Sequence, residues 1–451
     1  VTITTNDDSG TDADVTIDGG TTALILAAST IDGDLTLTSG HASGITDSGT
    51  VTVGGNLAAT TDDNNGVINL GTLAVDGTVA LTTNGSGNAT VVNDAGLNFA
   101  ASTVRGNLAA TATTGNMTDS GALTVAGTTT LTTSADNGTI TLNNANAFTG
   151  AVSLNTTGSS AHATVVDASG LNLGASTVGG NFAATATTGN MTDSGALTIS
   201  GTSSFTTSAN NATIALDTTT NAFTGAVTIT TNDDSGTDAD VTIDGGTTAL
   251  ILAASTIDGN LTLISGHASG ITDSGTVTVG GNLAATTDDN NGVINLGTLA
   301  VDGTVALTTN GNGTATVVND AGLDFVASTV GGALSATATT GDIMGSGALT
   351  IAGTSSFTTS ANNAEITLNN TNAFTGAITL STTGSTGHAT IDNGTTALNM
   401  AASSVGGNLT LTSGHASGIT DSGTVTVGGN LAATTDDNNG VINLGTLAVD
   451  G

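Results

Sequence analysis

A six-residue motif recurs along the whole chain: a glycine, one variable residue, and then alternating apolar and small polar residues. The motif is GDLTLT from Gly33, GNLAAT from Gly55 and GTVALT from Gly77. Successive motif glycines lie 21 to 34 residues apart, and every third interval is a long one. A period of this size is typical of arrays in which each unit buries its apolar face only against its neighbours. The sequence therefore predicts one repeated architecture.

Within each glycine motif the apolar residues occupy every second position, as Leu35 and Leu37 do after Gly33. This period of two predicts a β-strand with one buried face. A second alternating segment follows in most repeats, for example 49–55 (GTVTVGG), and the sequence lacks an apolar period of 3.6 residues. We therefore predict an all-β fold, a parallel β-solenoid (β-helix) of about 18 coils of 21–34 residues, with every third coil longer.

Each long coil carries an inserted segment that also alternates between apolar and polar residues. Examples are 88–94 (NATVVND), 162–168 (HATVVDA) and 314–320 (TATVVND). We predict a strand in each of these segments, so that one flank of the solenoid shows a ridge or an extra strand at every third coil. Three coils together make a unit of 73 to 79 residues.

The sequence also repeats over a distance much longer than one coil, because residues 1–75 match residues 227–301 with two differences. The shift is 226 residues. We predict a single continuous solenoid over 1–451, built from two copies, 1–226 and 227–451. Both ends fall at the same phase of a long coil, so we expect the chain to be part of a longer array or to associate with itself head to tail.

The chain is strongly acidic, with 36 acidic residues, one basic residue (Arg105) and a formal net charge of -35. Such a chain cannot replace the counterions of nucleic acid phosphates, and an anionic membrane surface would repel it. No apolar run approaches the roughly 20 residues of a membrane-spanning helix. The composition therefore predicts no nucleic-acid partner and no membrane insertion. Because there is no cysteine, no disulfide can form.

Clusters of aspartate are the recurring feature that best suggests a ligand. Carboxylates together with asparagine and backbone carbonyl oxygens suit a hard cation such as Ca²⁺. The EF-hand loop and the glycine-rich calcium-binding nonapeptide are both absent from the sequence, and ordinary solvated turns are the alternative interpretation. The candidate Ca²⁺ ligands are Asp7, Asp8, Asp12, Asp14, Asp62, Asp63, Asp233, Asp234, Asp238, Asp240, Asp288, Asp289, Asp436 and Asp437.

The five histidines are copies of two sequence positions. His41, His267 and His415 share one context, and His162 and His388 lie in inserted segments. Neither cysteine nor a second histidine recurs at ligand spacing from them. We predict surface turn residues and no zinc site.

A recurring Asp-Ser-Gly tripeptide raises the question of a serine nucleophile. Its aspartates are Asp47, Asp119, Asp193, Asp273 and Asp421. A nucleophilic serine needs a partnering base, and none recurs beside these serines. Asp-Ser-Gly is also ordinary turn chemistry, so we predict turns.

Two further functions find little support in the composition. A polysaccharide lyase or hydrolase on a β-helix would need paired carboxylates, basic residues and aromatic platforms for the sugar, but the chain has one Arg and neither Trp nor Tyr. An ice-binding face needs a regular Thr-x-Thr array, whereas the outward positions vary among Thr, Ala, Ser and Asn. We therefore predict no enzyme and no cofactor other than possible Ca²⁺.

The segment 106–125 (GNLAATATTGNMTDSGALTV) resembles the repeats of very large bacterial surface and secreted proteins of the filamentous-haemagglutinin-like, β-strand-repeat type. The resemblance extends over essentially the whole chain. It implies a right-handed parallel β-helix that is exported to the cell surface as an adhesin or as the shaft of a fibre.

We accordingly expect a structural extracellular protein, the filament, shaft or scaffold of a bacterial surface, whose main partner is itself. The alternative is an adhesin that binds glycans or neighbouring cells through the ridge expected at the long coils.

Overall fold

The computed structural model describes residues 1–5, 13–63, 65–232, 238–289, 291–437 and 439–451. These residues form strands and turns and contain no helix. The strands pair in parallel and stack into a β-solenoid of about 20 turns, which confirms the predicted fold class. The chain divides into two compact units, Val1–Gly225 and Ala226–Gly451, close to the limits of the two sequence copies.

The described residues of the first unit form 27 strands, numbered in chain order. They are Val15–Asp18 (β1), Leu24–Leu26 (β2), Ser29–Ile31 (β3), Leu35–Ser39 (β4), Ile45–Asp47 (β5), Val51–Val53 (β6), Leu57–Thr61 (β7), Ile68–Val75 (β8), Thr78–Thr82 (β9), Ala89–Asn93 (β10), Leu97–Phe99 (β11), Ser102–Val104 (β12), Leu108–Ala112 (β13), Met117–Asp119 (β14), Leu123–Val125 (β15), Thr129–Asp136 (β16), Ile140–Phe148 (β17), Val152–Thr157 (β18), Ala163–Asp167 (β19), Leu171–Leu173 (β20), Ser176–Val178 (β21), Phe182–Ala186 (β22), Met191–Asp193 (β23), Leu197–Ile199 (β24), Ser203–Thr207 (β25), Ile214–Leu216 (β26) and Ala222–Phe223 (β27).

The second unit continues the numbering from β28 to β56. Its strands are Val227–Thr230 (β28), Val241–Asp244 (β29), Leu250–Leu252 (β30), Ser255–Ile257 (β31), Leu261–Ser265 (β32), Ile271–Asp273 (β33), Val277–Val279 (β34), Leu283–Thr287 (β35), Ile294–Val301 (β36), Thr304–Thr308 (β37), Ala315–Asn319 (β38), Leu323–Phe325 (β39), Ser328–Val330 (β40), Leu334–Ala338 (β41), Ile343–Gly345 (β42), Leu349–Ile351 (β43), Ser355–Asn362 (β44), Ile366–Leu368 (β45), Ala373–Phe374 (β46), Ile378–Thr383 (β47), Ala389–Asp392 (β48), Leu398–Met400 (β49), Ser403–Val405 (β50), Leu409–Ser413 (β51), Ile419–Asp421 (β52), Val425–Val427 (β53), Leu431–Thr435 (β54), Ile442–Asn443 (β55) and Leu447–Val449 (β56).

Like residues stack on like positions in successive coils, as the alternation predicts. Leu35 of β4 lies in register with Leu57 of β7. In the neighbouring column, Ala59 lies between Leu37 and Leu81. All five side chains are buried. The small alanine between two leucines lets the layers interdigitate at the density of a protein interior.

One turn of the solenoid places a glycine-motif strand in one sheet and a second, often interrupted, strand in the other. In the first unit β7 lies in the first sheet and β8 in the second. Along β7 the burial alternates with a period of two. The apolar side chains of both strands therefore point into a common interior.

The inserted segment of the long coil takes the form of the expected extra strand, and this strand lies within a sheet. Its strand β10 pairs with β8 on one side and with β13 on the other, so it is a regular member of the second sheet. Ala89, Val91 and Asn93 of β10 are buried. Of the two expected forms, the extra strand is confirmed and the ridge is not, because the alternation in this segment reflects a buried face, and a strand with a buried face pairs within the sheet.

The inserted strand adds half a turn, and this moves the glycine motif to the other sheet. Before the insertion β9 carries the motif in the first sheet. After β10, the motif strand β13 lies in the second sheet. The next inserted strand, β19, returns the motif to the first sheet with β22. Motifs with the same sequence therefore lie on opposite sheets of the same unit.

The second unit follows the same rule, since its inserted strands β29, β38 and β48 alternate between the two sheets. The extra half-turns also account for the number of turns. The sequence contains about 18 coils, whereas the solenoid has about 20 turns.

After many motif strands, the hydroxyl of a buried threonine donates a hydrogen bond to a backbone carbonyl group within the corner that follows. The hydroxyl of Thr61 donates to the carbonyl oxygen of Gly66 at 2.9 Å, and that of Thr133 donates to Gly138 at 2.9 Å. The same bond is made by Thr83, Thr156, Thr207, Thr287, Thr309, Thr359 and Thr382. Each hydroxyl satisfies a carbonyl group that the corner would otherwise bury without a donor.

Candidate functional site

Where the variable residue after the motif glycine is Asp or Asn, its side chain joins a hydrogen-bonded column, which we call the corner ladder. Oδ1 of Asp34 accepts from the backbone N–H of Asn56 at 2.6 Å. Oδ1 of Asn56 in turn accepts from the backbone N–H of Thr78 at 2.9 Å and from its hydroxyl at 2.8 Å. In the second unit the same ladder runs through Asp240, Asn260, Asn282 and Thr304. These side chains satisfy backbone donors where the chain leaves one sheet for the other.

The motif glycine beside the ladder is required by the close approach of successive coils. A Cβ added to Gly77 would lie 2.5 Å from the carbonyl oxygen of Gly55 and 2.7 Å from Oδ1 of Asn56. No side chain fits at these distances, so only glycine is accommodated. At Gly71, by contrast, the nearest atom to an added Cβ is Oδ1 of Asp47 at 3.9 Å.

The aspartates of the Asp-Ser-Gly segments bridge successive coils. Oδ1 of Asp47 accepts from the backbone N–H of Gly71 at 3.0 Å, and Oδ2 accepts from the backbone N–H of Thr72 at 2.7 Å. The hydroxyl of Thr72 also donates to Oδ2, at 2.8 Å. The equivalent pairs are Asp273 with Thr298 and Asp421 with Thr446. From the sequence, these aspartates are predicted to lie in turns. The sequence does not show that their hydrogen-bond donors lie in the next coil.

The hydrogen bonds around Asp421 stabilise its ionised form. The Thr446 hydroxyl, followed by the backbone N–H groups of Gly445 and Thr446, lowers the pKa of the Asp421 carboxyl from its ordinary value. The pattern is that of a carboxylate held by several donors.

Two of these aspartates use a buried asparagine as donor. Nδ2 of Asn146 donates to Oδ2 of Asp119 at 2.9 Å, and Nδ2 of Asn221 donates to Oδ2 of Asp193 at 2.7 Å. Oδ1 of Asn146 also accepts from the backbone N–H of Leu123 at 2.7 Å. These asparagines lie in the interior of the corners, and the sequence analysis did not identify them.

The histidines lie at two kinds of corner. Nδ1 of His162 accepts from the backbone N–H of Asn181 at 2.8 Å, so this histidine is a member of the corner ladder. Nδ1 of His41 accepts from the backbone N–H of Ser43 at 3.0 Å, within its own turn. The counterparts with the same bonds are His388, His267 and His415. In the part of the chain that the structure describes, no three His, Cys, Asp or Glu residues could hold a metal ion.

Nine of the fourteen candidate Ca²⁺ ligands lie in the described ranges, and their carboxylates differ in hydrogen bonding and in exposure. Asp14 and Asp240 belong to the corner ladder. Asp63, Asp289 and Asp437 each accept from the backbone N–H two residues further on. Asp62, Asp238, Asp288 and Asp436 are exposed. Asp7, Asp8, Asp12, Asp233 and Asp234 lie outside the described residues. Ca²⁺ binding at these segments stays a prediction.

Asp167, at the end of the inserted strand β19, is a fully buried carboxyl group. Its Oδ1 accepts from the backbone N–H and the hydroxyl of Ser169, both at 2.9 Å, and Oδ2 accepts from the backbone N–H of Phe148 at 3.1 Å. Burial raises the pKa of Asp167 in spite of these hydrogen bonds. The sequence analysis missed this residue, although comparing VVND in β10 with VVDA in β19 would have revealed the exchange of asparagine for aspartate.

Two shallow grooves lie beside long coils. The groove in the first unit has a volume of about 300 Å³, and its counterpart in the second unit has about 230 Å³. The polar residues of the first groove are Asp76, Asn98, Asn116 and Thr118, and the corresponding positions of the second are Asp302, Asp324, Asp342 and Met344. Neither groove has a basic or an aromatic side chain in its lining.

The comparison with protein families matches most of the chain. A family described as repeats of unknown function (DUF5649) matches residues 12–68, 86–155, 160–230, 238–289, 312–381 and 386–450. The chain belongs to the DUF5649 repeat family. No curated protein and no solved structure matches the chain.

Each DUF5649 repeat begins at or just before an inserted strand, as the match that starts at residue 86 does before β10. One DUF5649 repeat therefore corresponds to a group of three coils together with its inserted half-turn. Because of that half-turn, consecutive DUF5649 repeats within a unit begin on opposite sheets. The described residues include no helix that is long and apolar enough to cross a membrane.

Proposed function

We propose that this DUF5649 repeat protein is a structural component of a bacterial surface, forming the shaft, filament or scaffold of an extracellular assembly. The observation that carries the proposal is the corner ladder. The recurring Asp and Asn side chains after the motif glycines, such as Asp34 and Asn56, accept hydrogen bonds from the next coil. The most repetitive polar feature of the sequence thus serves the stacking of coils.

The acidic surface is consistent with this role. The formal net charge of -35 disfavours nucleic acid and anionic membranes as partners, and mutual repulsion between acidic surfaces opposes non-specific lateral association. The resemblance of 106–125 to filamentous-haemagglutinin-like repeats supports an extracellular location and association of the chain with further copies of the same repeats.

Immunogold electron microscopy of intact cells that produce the protein tests the proposal. We expect gold particles on structures outside intact cells, arranged along their length. Labelling that requires permeabilised cells would contradict the extracellular assignment. Extracellular labelling confined to single points would contradict the scaffold role.

An adhesin is the second candidate, and the grooves beside the long coils are the observation that favours it. A groove of about 300 Å³ reaches the lower limit of ordinary ligand sites. Binding to a glycan array distinguishes the candidates. An adhesin would lose binding in Asn98→Arg and Asn116→Arg, which fill the groove, and would retain it in Thr36→Arg on the same sheet. Equal binding by all four proteins would exclude this groove as the adhesive site.

A further inference from the structure

Three of the six inserted segments end at a buried corner asparagine, Asn93, Asn319 or Asn393. In β10, Oδ1 of Asn93 accepts from the backbone N–H of Val75 at 2.8 Å. Its Nδ2 donates to the carbonyl oxygens of Val75 at 3.0 Å and Gly96 at 2.6 Å. Asn319 and Asn393 make corresponding bonds. The amide therefore supplies one acceptor and two donors to a corner that excludes water.

Asp167 occupies the same corner in β19. It keeps the acceptor role toward the backbone N–H of Phe148. An ionised carboxylate has no hydrogen to donate, so it cannot reproduce the two bonds that Asn93 makes to carbonyl oxygens. The carbonyl groups in the corresponding positions are those of Phe148 and Gly170, and the hydroxyl of Ser169 lies 3.5 Å from the latter. A protonated Asp167 can donate to one of them.

The surroundings of Asp167 contain little that would stabilise a negative charge beyond these donors. The strands stacked on β19, which are β17 and β22, contain no ionisable residue. Asn146 of β17 lies in register with Asp167, and its Nδ2 donates to the carboxylate of Asp119. His162 lies at the other end of β19, in the corner ladder. Burial of the Asp167 carboxyl therefore favours its neutral form.

We propose that the Asp167 corner is a pH-sensitive switch of local stability, in which protonation supplies a missing hydrogen-bond donor and fastens β19 between its neighbouring coils. At neutral pH the buried carboxylate leaves this corner weaker than the asparagine corners of the same chain. In the first unit, the long coil that contains Asp167 therefore becomes more stable to local opening in acid. The corner at Asn93, in the preceding long coil, has no such dependence on pH.

The direction of the pH dependence follows from burial. Burial raises the pKa of Asp167, so the folded chain holds this proton more tightly than the unfolded chain. The contribution of the corner is greatest below the pKa of an unfolded aspartate, about 3.9. It declines as the pH rises through the higher pKa of the folded state.

Hydrogen exchange of the β19 amides in the whole chain tests the switch, with protection factors corrected for the intrinsic pH dependence of exchange. Asp167→Asn gives this corner an asparagine. We expect it to raise the protection of β19 on the order of tenfold at pH 7, the effect of one recovered buried hydrogen bond. The difference from the natural chain should shrink as the pH approaches 4. Equal protection in both proteins at pH 7, or a difference that grows in acid, would overturn the proposal.

Asn93→Asp is the mirror-image variant, since it introduces the carboxylate into β10. We expect it to lower the protection of β10 at pH 7 by a similar factor, with recovery in acid and no change in β19. If this variant does not fold at pH 7, its circular dichroism spectrum should return to that of the natural chain near pH 4. Failure to recover in acid would count against the switch.

Discussion

Oδ2 of Asp47 lies 2.7 Å from the backbone nitrogen and 2.8 Å from the hydroxyl of Thr72, in the next coil. Asp47 and Thr72 are separated by 25 residues in the sequence. The carboxylate accepts where β8 passes from pairing with β5 to pairing with β6, so it serves backbone donors between the two pairings. The same clamp recurs at Asp273 and Asp421.

Removing the clamp should loosen this part of β8. We expect Asp47→Ala to lower the free energy of local opening at the amides of Gly71 and Thr72 by about 1–3 kcal/mol, because the half-buried N–H of Gly71 and the exposed N–H of Thr72 both lose a charged acceptor. Native-state hydrogen exchange measures this quantity directly. Asp76→Ala, at an exposed position in the same coil, is the matched control and should change it by less than about 0.5 kcal/mol. Equal effects of the two substitutions would refute the clamp.

The clamp at Asp421 should appear in a pH titration. Its pKa is lowered mainly by the Thr446 hydroxyl, so the folded chain holds the Asp421 proton less tightly than the unfolded chain. Its stabilising contribution is therefore present above about pH 3.9 and is lost as the pH falls through the lower pKa of the folded state. NMR titration of Asp421 in Thr446→Val should show the pKa moving back toward the ordinary value. A pKa that does not move would show that the hydroxyl is not the main cause.

The buried hydroxyls of the core separate into two classes. Oγ of Ser176 accepts from the backbone N–H of Leu154 at 3.0 Å and donates to the carbonyl oxygen of Gly174 at 2.8 Å. Oγ of Ser203 is buried and has no hydrogen-bond partner among the residues that the structure describes. It lies in the strand that carries Phe205, whose ring makes edge contacts with Phe182 and Phe223.

These two serines should respond oppositely to removal of the hydroxyl. Ser176→Ala leaves a buried donor and a buried acceptor unpaired, so we expect local stability to fall by about 1–2 kcal/mol. Ser203→Ala removes an unpaired polar atom, and we expect stability to be unchanged or to rise by up to about 1 kcal/mol. Hydrogen exchange of β21 and β25 compares them in one chain. A loss at Ser203 as large as that at Ser176 would contradict the assignment.

The glycines also differ in a way that can be measured. A methyl group at Gly77 would collide with Gly55 and Asn56, whereas at Gly71 it would lie at an ordinary contact distance, 3.9 Å, from Oδ1 of Asp47. We expect Gly77→Ala to destabilise the coil by about 1–3 kcal/mol through overpacking and Gly71→Ala to be nearly neutral. Local opening of β7 to β9 by hydrogen exchange is the measurement. Comparable losses at both sites would mean that backbone entropy, and not coil spacing, determines the choice of glycine.

The strands and their buried faces were predicted well from the sequence, because apolar residues at every second position show directly which side chains of a strand are buried. Leu35, Leu57 and Ala89 are all buried as the alternation requires. The same alternation could not show where the inserted strand belongs, since a period of two says which face is buried and not which neighbours pair with it.

The polar interior of the corners was beyond prediction for a different reason. Thr61, Asn93 and Asn146 resemble the solvent-facing polar residues around them, and their partners lie on neighbouring coils or across a turn. Only three-dimensional stacking brings each donor to its acceptor. The candidate Ca²⁺ residues of the sequence were chosen by clustering along the chain, whereas Asp14 and Asp240 hydrogen bond across coils.

The half-turn added by each inserted strand is the central structural claim, and it predicts which strands are neighbours. Thr90 of β10 lies in register with Ala109 of β13 in the second sheet. Ala80 of β9 lies in the first sheet, although it holds the same place in the glycine motif as Ala109. If the inserted segment protruded as a ridge, Ala80 and Ala109 would be the neighbours.

Disulfide cross-linking decides between these arrangements, because the natural chain has no cysteine and a disulfide requires Cα atoms about 4.4–6.8 Å apart. Two double variants are compared under mild oxidation, Thr90→Cys with Ala109→Cys and Ala80→Cys with Ala109→Cys. Mass spectrometry of the digested protein reports each cross-link. We predict a disulfide in the first variant and none in the second. A disulfide between positions 80 and 109, with none between 90 and 109, would contradict the half-turn and the alternation of sheets that follows from it.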